Sequence, residues 1–335
     1  VRIQSMNGVN IDLFQFEYDL TWMGFFMDAE DRFYARYGGR EDAEAESHLN
    51  KQSLLATMRQ VVELHRQGRT QMGRYEPTPK STRTPEDIPT MGPMMARRKD
   101  NKCIHCHDVK VASLRHLQSI EKFSRDMVFT YPAPSAAGIE LDPVDQSRVR
   151  RVVAGSSADR AGVRQGDRLA AADGQRVTTL GDFSRVLELT PAEAALPIEV
   201  ERGGAVVPLE LRLAGNWRRS GDPSWRESLH VAGPNGGFWG QKLSASEREM
   251  GKLAAGAMAV KVTFIWGDHT RKAGLRTGDV IVEWDGGRSD MTINQLHAHL
   301  NLNRNYGDTV DVVVMRDGRE HKLRLQLPTG PPAND

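Results

Sequence analysis

The sequence predicts a multidomain α+β protein, and three observations carry that prediction. Its 335 residues exceed what one compact core ordinarily holds. The C-terminal half repeats itself, because Ala161-Gly162-Val163-Arg164-Gln165-Gly166-Asp167 returns as Ala273-Gly274-Leu275-Arg276-Thr277-Gly278-Asp279. Ahead of the repeats, strand-like and helical periodicities succeed one another within one short unit.

That unit reads as ββα. Residues 21–27 are apolar and aromatic, residues 28–31 are polar, residues 32–37 alternate, and Gly38-Gly39 closes the second strand. Leu54, Leu55, Met58, Val61 and Val62 then recur at helical spacing, with Gly68 as terminator. Two strands cannot bury both faces of a sheet, so partner strands are expected from residues 1–4 or from residues before Val1. Val1 is no initiator Met, and the start reads as processed, truncated or unresolved. Residues 75–102 hold Pro77, Pro79, Pro85, Pro89 and Pro93 among polar and basic residues and read as a linker. Each repeat continues with an apolar strand, an Asp-Gly turn (Asp173-Gly174, Asp285-Gly286), a short helix and a terminal hairpin turning at Gly203-Gly204 or Asp317-Gly318. Residues 215–236 between the repeats look irregular, and Trp217 and Trp225 are expected to pack on a neighbouring module.

Composition narrows the function classes. Hydrophobic residues at 39% and charged residues at 27% are ordinary for a globular protein. Forty-five Lys and Arg against 44 Asp and Glu leave no positive field to hold a nucleic acid. The longest apolar stretches, such as residues 253–260, fall well short of the ~20 residues of a transmembrane segment.

The chain has two cysteines, both in Cys103-Ile104-His105-Cys106-His107. On a helix this spacing is expected to bring Cys103, Cys106 and His107 to one face. Two thiols so placed can form thioethers with heme vinyl groups while the imidazole reaches the iron, which predicts a covalent heme c with His107 as proximal ligand. A thioredoxin-like redox pair or disulfide, a zinc site completed by other histidines, and a chance pair of surface thiols compete with this reading. His105 and His116 point away from His107 on the helical wheel. Met127, beside the apolar strip 128–132, is the expected distal ligand; a core-filling role for Met127, His65 as ligand and an open site are the alternatives.

Residues Val153-Ala154-Gly155-Ser156-Ser157-Ala158-Asp159-Arg160-Ala161-Gly162-Val163 and Gln165-Gly166-Asp167-Arg168-Leu169 resemble PDZ domains of the bacterial, HtrA-type protease-associated kind. The second copy departs at Ile265-Trp266-Gly267-Asp268-His269-Thr270 and rejoins at Ala273. The resemblance covers most of residues 135–328 and implies two PDZ-like β-barrel modules that bind protein or peptide partners as an added strand. It places the first groove at Gly138, Ile139 and Leu141 facing Phe183 and Val186, and the second at Phe238, Trp239 and Gly240 facing Leu296 and Leu300. Alternatively, these residues fill the module cores and neighbouring domains occupy the grooves. No Gly-x-Ser-x-Gly motif marks a protease.

Residues 5–39 resemble the C-terminal half of a thioredoxin-like domain. The whole arrangement resembles the bacterial thioredoxin-like/PDZ (seleno)protein family, which implies a redox-flavoured extracytoplasmic, periplasmic setting. The reactive Cys or selenocysteine of that family would lie in the thioredoxin-like part, where this chain has no cysteine, and Leu20 stands where a cis-proline would precede Thr21.

The expected organisation is therefore a partial thioredoxin-like unit (1–74), a Pro-rich linker and heme-binding segment (75–134), a first PDZ-like module (135–214), a linker (215–236) and a second module (237–328). The expected function is a monoheme c-type cytochrome for electron transfer or redox sensing, docked through its PDZ modules to a periplasmic redox or membrane complex. The alternatives are a PDZ scaffold with a non-heme cysteine pair, and a thiol oxidoreductase whose reactive residue lies upstream of Val1.

Overall fold

The computed structural model describes residues 1–41, 44, 46–70, 82–98, 102–219 and 221–331. They form two compact units, Val1–Asp222 and Pro223–Asp335.

The first unit begins with irregular chain, and residues 1–4 form no strand. Strands β1 (Gly24–Met27) and β2 (Phe33–Tyr37) pair antiparallel. Asp28 sets their turn by accepting hydrogen bonds from the Glu30 and Arg32 amides. Helix α1 (Lys51–Arg66) starts at a capping box, in which Asn50 accepts from the Ser53 amide at 2.9 Å and the Ser53 hydroxyl takes the Asn50 amide. Leu55, Met58 and Val62, spaced along one face of α1, remain exposed.

The expected linker is in part folded. Pro77 and Pro79 lie outside the described residues. Helix α2 (Met91–Ala96) contains Pro93, which its first turn tolerates because amides there have no intrahelical partner. Helix α3 (Cys106–Ser119) follows. Met91, Ile104, Val109 and Ala112 close a core with Met6 and Ile11, so this segment is built onto the start of the chain. Ile104 is pinned from both sides, with its carbonyl accepting from the Met6 amide and its amide donating to Asn7.

The remainder of the first unit is β3 (Ile139–Leu141), β4 (Val149–Val152), α4 (Ser157–Ala161), β5 (Arg168–Ala172), β6 (Gln175–Arg176), α5 (Leu180–Leu189), β7 (Ala194–Arg202) and β8 (Ala205–Leu213). The Asp173-Gly174 pair turns β5 into β6 with both residues left-handed, as an Asp-Gly hairpin requires. Trp217, from the segment between the repeats, packs into the core of the neighbouring first module as expected, its indole N–H on the Ala192 carbonyl.

The second unit holds β9 (Phe238–Lys242), α6 (Ala245–Met250), β10 (Val260–Ile265), α7 (Asp268–Lys272), β11 (Val280–Trp284), α8 (Ile293–Asn303), β12 (Thr309–Arg316) and β13 (Arg319–Gln326). Its strands form one antiparallel sheet in the order β13-β12-β11-β10-β9, which leaves β9 at an edge.

The barrel expectation is corrected for both modules, because the sheets stay open. In the first, β3-β4 and β6-β5-β7-β8 are separate sheets, joined among the described residues by an isolated bridge between Arg148 and Arg168. In the second, the five strands end at unjoined edges. The repeat itself has a clear physical basis. Arg202 clasps Asp167 at 2.7 and 2.8 Å and donates to the Gly162 carbonyl, while Arg316 clasps Asp279 at 2.7 Å and donates to the Gly274 carbonyl. Each clasp ties the last hairpin back to the repeated Gly-Asp loop. Burial pushes the Asp167 carboxyl up, but the Arg202 fork and the Arg164 amide outweigh it and hold the group below its usual range.

Candidate functional site

The cysteine segment departs from its expected geometry. Helix α3 begins only at Cys106, with His105 in extended conformation as its N-cap. Cys103 precedes the helix, so helical spacing cannot bring Cys103, Cys106 and His107 to one face. The Asp108 carboxylate accepts the His105 amide at 2.8 Å, sits 3.6 Å from the His107 ring and pairs with Arg98, which also holds the Cys103 carbonyl. Cys103 is exposed, whereas Cys106 is half-buried against the Met6–Ile11 core. Burial, then the Asp108 charge, pushes the Cys106 thiol up, opposite to the lowered value an activated thiol needs. Met127 lies in a 3-10 turn, Arg125–Val128, and is exposed. His65 is engaged with the Tyr34 hydroxyl at 2.8 Å. Among the described residues, no group of three or more His, Cys, Asp or Glu side chains is placed to hold a metal ion.

In the first module, the residues expected to line a groove are core. Ile139, Leu141, Phe183 and Val186 are buried together. Gly138 is left-handed at φ +88°, and a Cβ there would meet the Ser156 side chain at 2.0 Å. Its amide turns back to the Ser135 carbonyl, and its own carbonyl accepts from Val153.

The outer side of α5 is covered too. Asp182 accepts the Arg36 amide of β2 at 2.9 Å, and Thr179 donates to the Arg36 carbonyl. Gly181 fits beneath the Gly38 and Arg36 carbonyls so closely that a Cβ would lie 2.6 and 2.8 Å from them. Glu188 takes the Tyr131 amide, and Arg218 caps the carbonyls of Leu187, Glu188 and Thr190. Every α5 position from Leu180 to Leu187 is buried as a result.

In the second module, Phe238, Leu296 and Leu300 are likewise core. Gly240 admits no side chain, because a Cβ would lie 2.7 Å from the Lys261 carbonyl. Trp239, however, is 47% exposed on edge strand β9, beside Phe264 at 60% and Trp266 at 45%. Trp239 and Trp266 gather about His297, with Phe264 stacked on Trp266; the sequence reading passed His297 over although it adjoins Leu296 on α8. Its ring is stacked with Trp239 at a centroid distance of 6.2 Å and tilted against Trp266 at 6.3 Å. One ring nitrogen, Nε2, lies 3.0 Å from the Phe238 carbonyl, and the Gly236 amide points at the other, Nδ1, at 3.4 Å. A carbonyl only accepts, so Nε2 carries the proton and Nδ1 receives. The Thr179 and Thr292 N-caps align the two helices, which puts Ser184 at the equivalent place in α5.

Burial pushes His297 below the ordinary histidine value, with its bond to Phe238 only partly offsetting this, and burial lowers His269 of α7 as well. A histidine that the fold keeps neutral adds nothing above its unfolded pKa and costs stability below it. The second unit is therefore expected to melt earlier as pH falls from about 7 to about 5, and His269→Gln with His297→Gln should flatten the slope. A melting temperature level across that window would refute this.

A PDZ domain family profile matches residues 148–202, from the start of β4 to the end of β7. No curated protein matches the chain. Among solved structures, it is similar to the HtrA-type protease AlgW with decapeptide at 17% identity and TM-score 0.28, covering 51% of each chain. It is also similar to AlgW with tripeptide at 17% identity and TM-score 0.29, covering 51% of this chain and 56% of that one. The chain spans about half the length of these structures. The expected heme-carrying electron carrier is thereby corrected: the family model that matches is a PDZ domain, and the described residues offer no metal-holding cluster. The chain is a PDZ-containing protein.

Proposed function

We propose that the chain is a docking protein that captures extended peptide segments of its partners along β9, beside α8. The observation that carries this reading is the position of β9 at the end of its sheet, next to three exposed aromatic rings. An edge strand offers main-chain donors and acceptors to an incoming strand, and an exposed aromatic cluster supplies apolar contact for alternate side chains. The first module is a weaker candidate, because the outer side of α5 is already covered by β2 and its neighbours. The resemblance to a bacterial extracytoplasmic family supports a partner met outside the cytoplasm.

Fluorescence anisotropy with labelled decapeptides bearing a free carboxylate tests the reading on the whole chain. Saturable binding is expected, weakened about tenfold in Trp239→Ala, which corresponds to ~1.4 kcal/mol. Binding that Trp239→Ala leaves unchanged, or no saturable binding to any decapeptide, would refute it.

A further inference from the structure

The first module holds a cavity of about 440 Å³ that none of the residues expected for its groove lines. Its walls are Arg148, Arg168, Glu201 and Val206, with the bare turns at Gly166 and Gly203-Gly204. The four side chains form one row across the strands: Arg148 bridges to Arg168, Arg168 lies opposite Glu201 of β7, and Glu201 lies opposite Val206 of β8. Residues directly opposite share a face of the sheet, and like charges in that relation repel. Arg168 is neutralised by the Asp145 carboxylate at 2.8 Å and also holds the Ser147 hydroxyl at 2.7 Å. Arg148 and Glu201 are exposed, and neither takes part in an ion pair among the described residues. The row therefore presents a cation and an anion two ladder steps, about 10 Å, apart.

The second repeat shows that the fold does not ask for these charges. Val149 accepts the Gly166 amide and donates to the Asp167 carbonyl, as Val262 does with Gly278 and Asp279, so Arg148 corresponds to Lys261. There the same row reads Lys261, Val280, Met315 and Glu320. Its centre is apolar, and Lys261 is paired with Glu247 at 3.4 Å.

We infer that the cavity is a second binding site, for a small zwitterion of the ω-amino acid class. Arg148, beside Arg168, takes the carboxylate, Glu201 takes the ammonium, and the methylene stem of the ligand crosses that of Arg168 between them. A site whose opposite charges are held apart favours a ligand with its own charges held apart over a simple anion or cation. The volume suits a molecule of this size. This inference does not rest on the docking role proposed above.

Amide NMR on the whole chain, with ε-aminocaproate as the probe, reads the site. Saturable shifts are expected at Gly166, Gly203 and Gly204, with none at Trp239. Caproate, which lacks the ammonium, and glycine, whose two charges are adjacent, should bind at least about tenfold more weakly. Arg148→Ala and Glu201→Gln remove exposed charges that hold no ion pair, so both variants should melt as the parent does. Each should weaken ε-aminocaproate about tenfold, while Glu201→Gln should tighten caproate, because the carboxylate that repelled it is gone. General damage to the module would weaken both probes together.

If ε-aminocaproate gives no saturable shift at the three glycines, the site is overturned. If caproate binds the parent equally well, or Glu201→Gln binds ε-aminocaproate as the parent does, the zwitterion assignment is overturned.

Discussion

Lys110→Met is expected to be among the most damaging single substitutions in the first unit. The Lys110 ammonium lies 2.7 Å from Glu17 and 3.2 Å from Asp19, donates to the Val128 carbonyl at 3.3 Å and also reaches Thr130. All three charged side chains are buried, with 7% or less of each exposed. Methionine matches the length of the lysine stem but takes the ammonium away from two buried carboxylates. Removing one partner of a buried ion pair costs about 3–5 kcal/mol, because the other charge keeps its desolvation penalty without its counter-ion. The loss should appear as a drop of roughly 10 °C in the melting of the first unit. Adding Glu17→Gln and Asp19→Asn should restore much of it, since the buried charges rather than the missing amine do the harm. Denaturant unfolding of the single and triple variants decides the matter, and a single variant within 1 kcal/mol of the parent would sink the argument.

Asp182→Ala should act through a different route. This carboxylate is fully buried and accepts three amides: Thr178 and Thr179 at 3.1 Å, which start α5, and Arg36 of β2 at 2.9 Å. Alanine leaves three buried donors without this acceptor, at about 1–3 kcal/mol each, and so removes a helix cap and a link between β2 and α5 together. Asp182→Asn keeps one accepting oxygen and should cost less. Hydrogen exchange at the Arg36 amide separates a lost link from general loosening. Its protection should collapse in Asp182→Ala before that of the β7–β8 ladder does. Equal protection of Arg36 in parent and variant would contradict the assignment.

Much of the local structure was legible because short-range chemistry dictates it. The Asp-Gly turns impose their own backbone, and the repeated Ala-Gly-x-Arg-x-Gly-Asp loop carries the aspartate that each module clasps with an arginine. The ββα order of the first unit follows from its periodicity. What periodicity cannot report is what lies on the far side of an element. Asp182, Arg185 and Glu188 carry no motif in the sequence, yet they are the residues that meet Arg36, Gln15 and Tyr131. Helical spacing likewise gave Cys103 a place beside Cys106, because spacing does not reveal that the helix starts at Cys106. A barrel and an open sheet share one alternation pattern, and only the ladder between strands tells them apart. His297 escaped notice because its role depends on a carbonyl 59 positions away in sequence.

The close seat of Gly181 beneath the Gly38 and Arg36 carbonyls has a practical consequence. Where two backbones touch with no side chain between them, a single methyl group becomes a wedge. Gly181→Ala suits a helix better than glycine does, and it leaves the Asp182 carboxylate in place. It therefore offers a handle for prising β2 from the first module without cutting the chain, and for learning what that module does once uncovered.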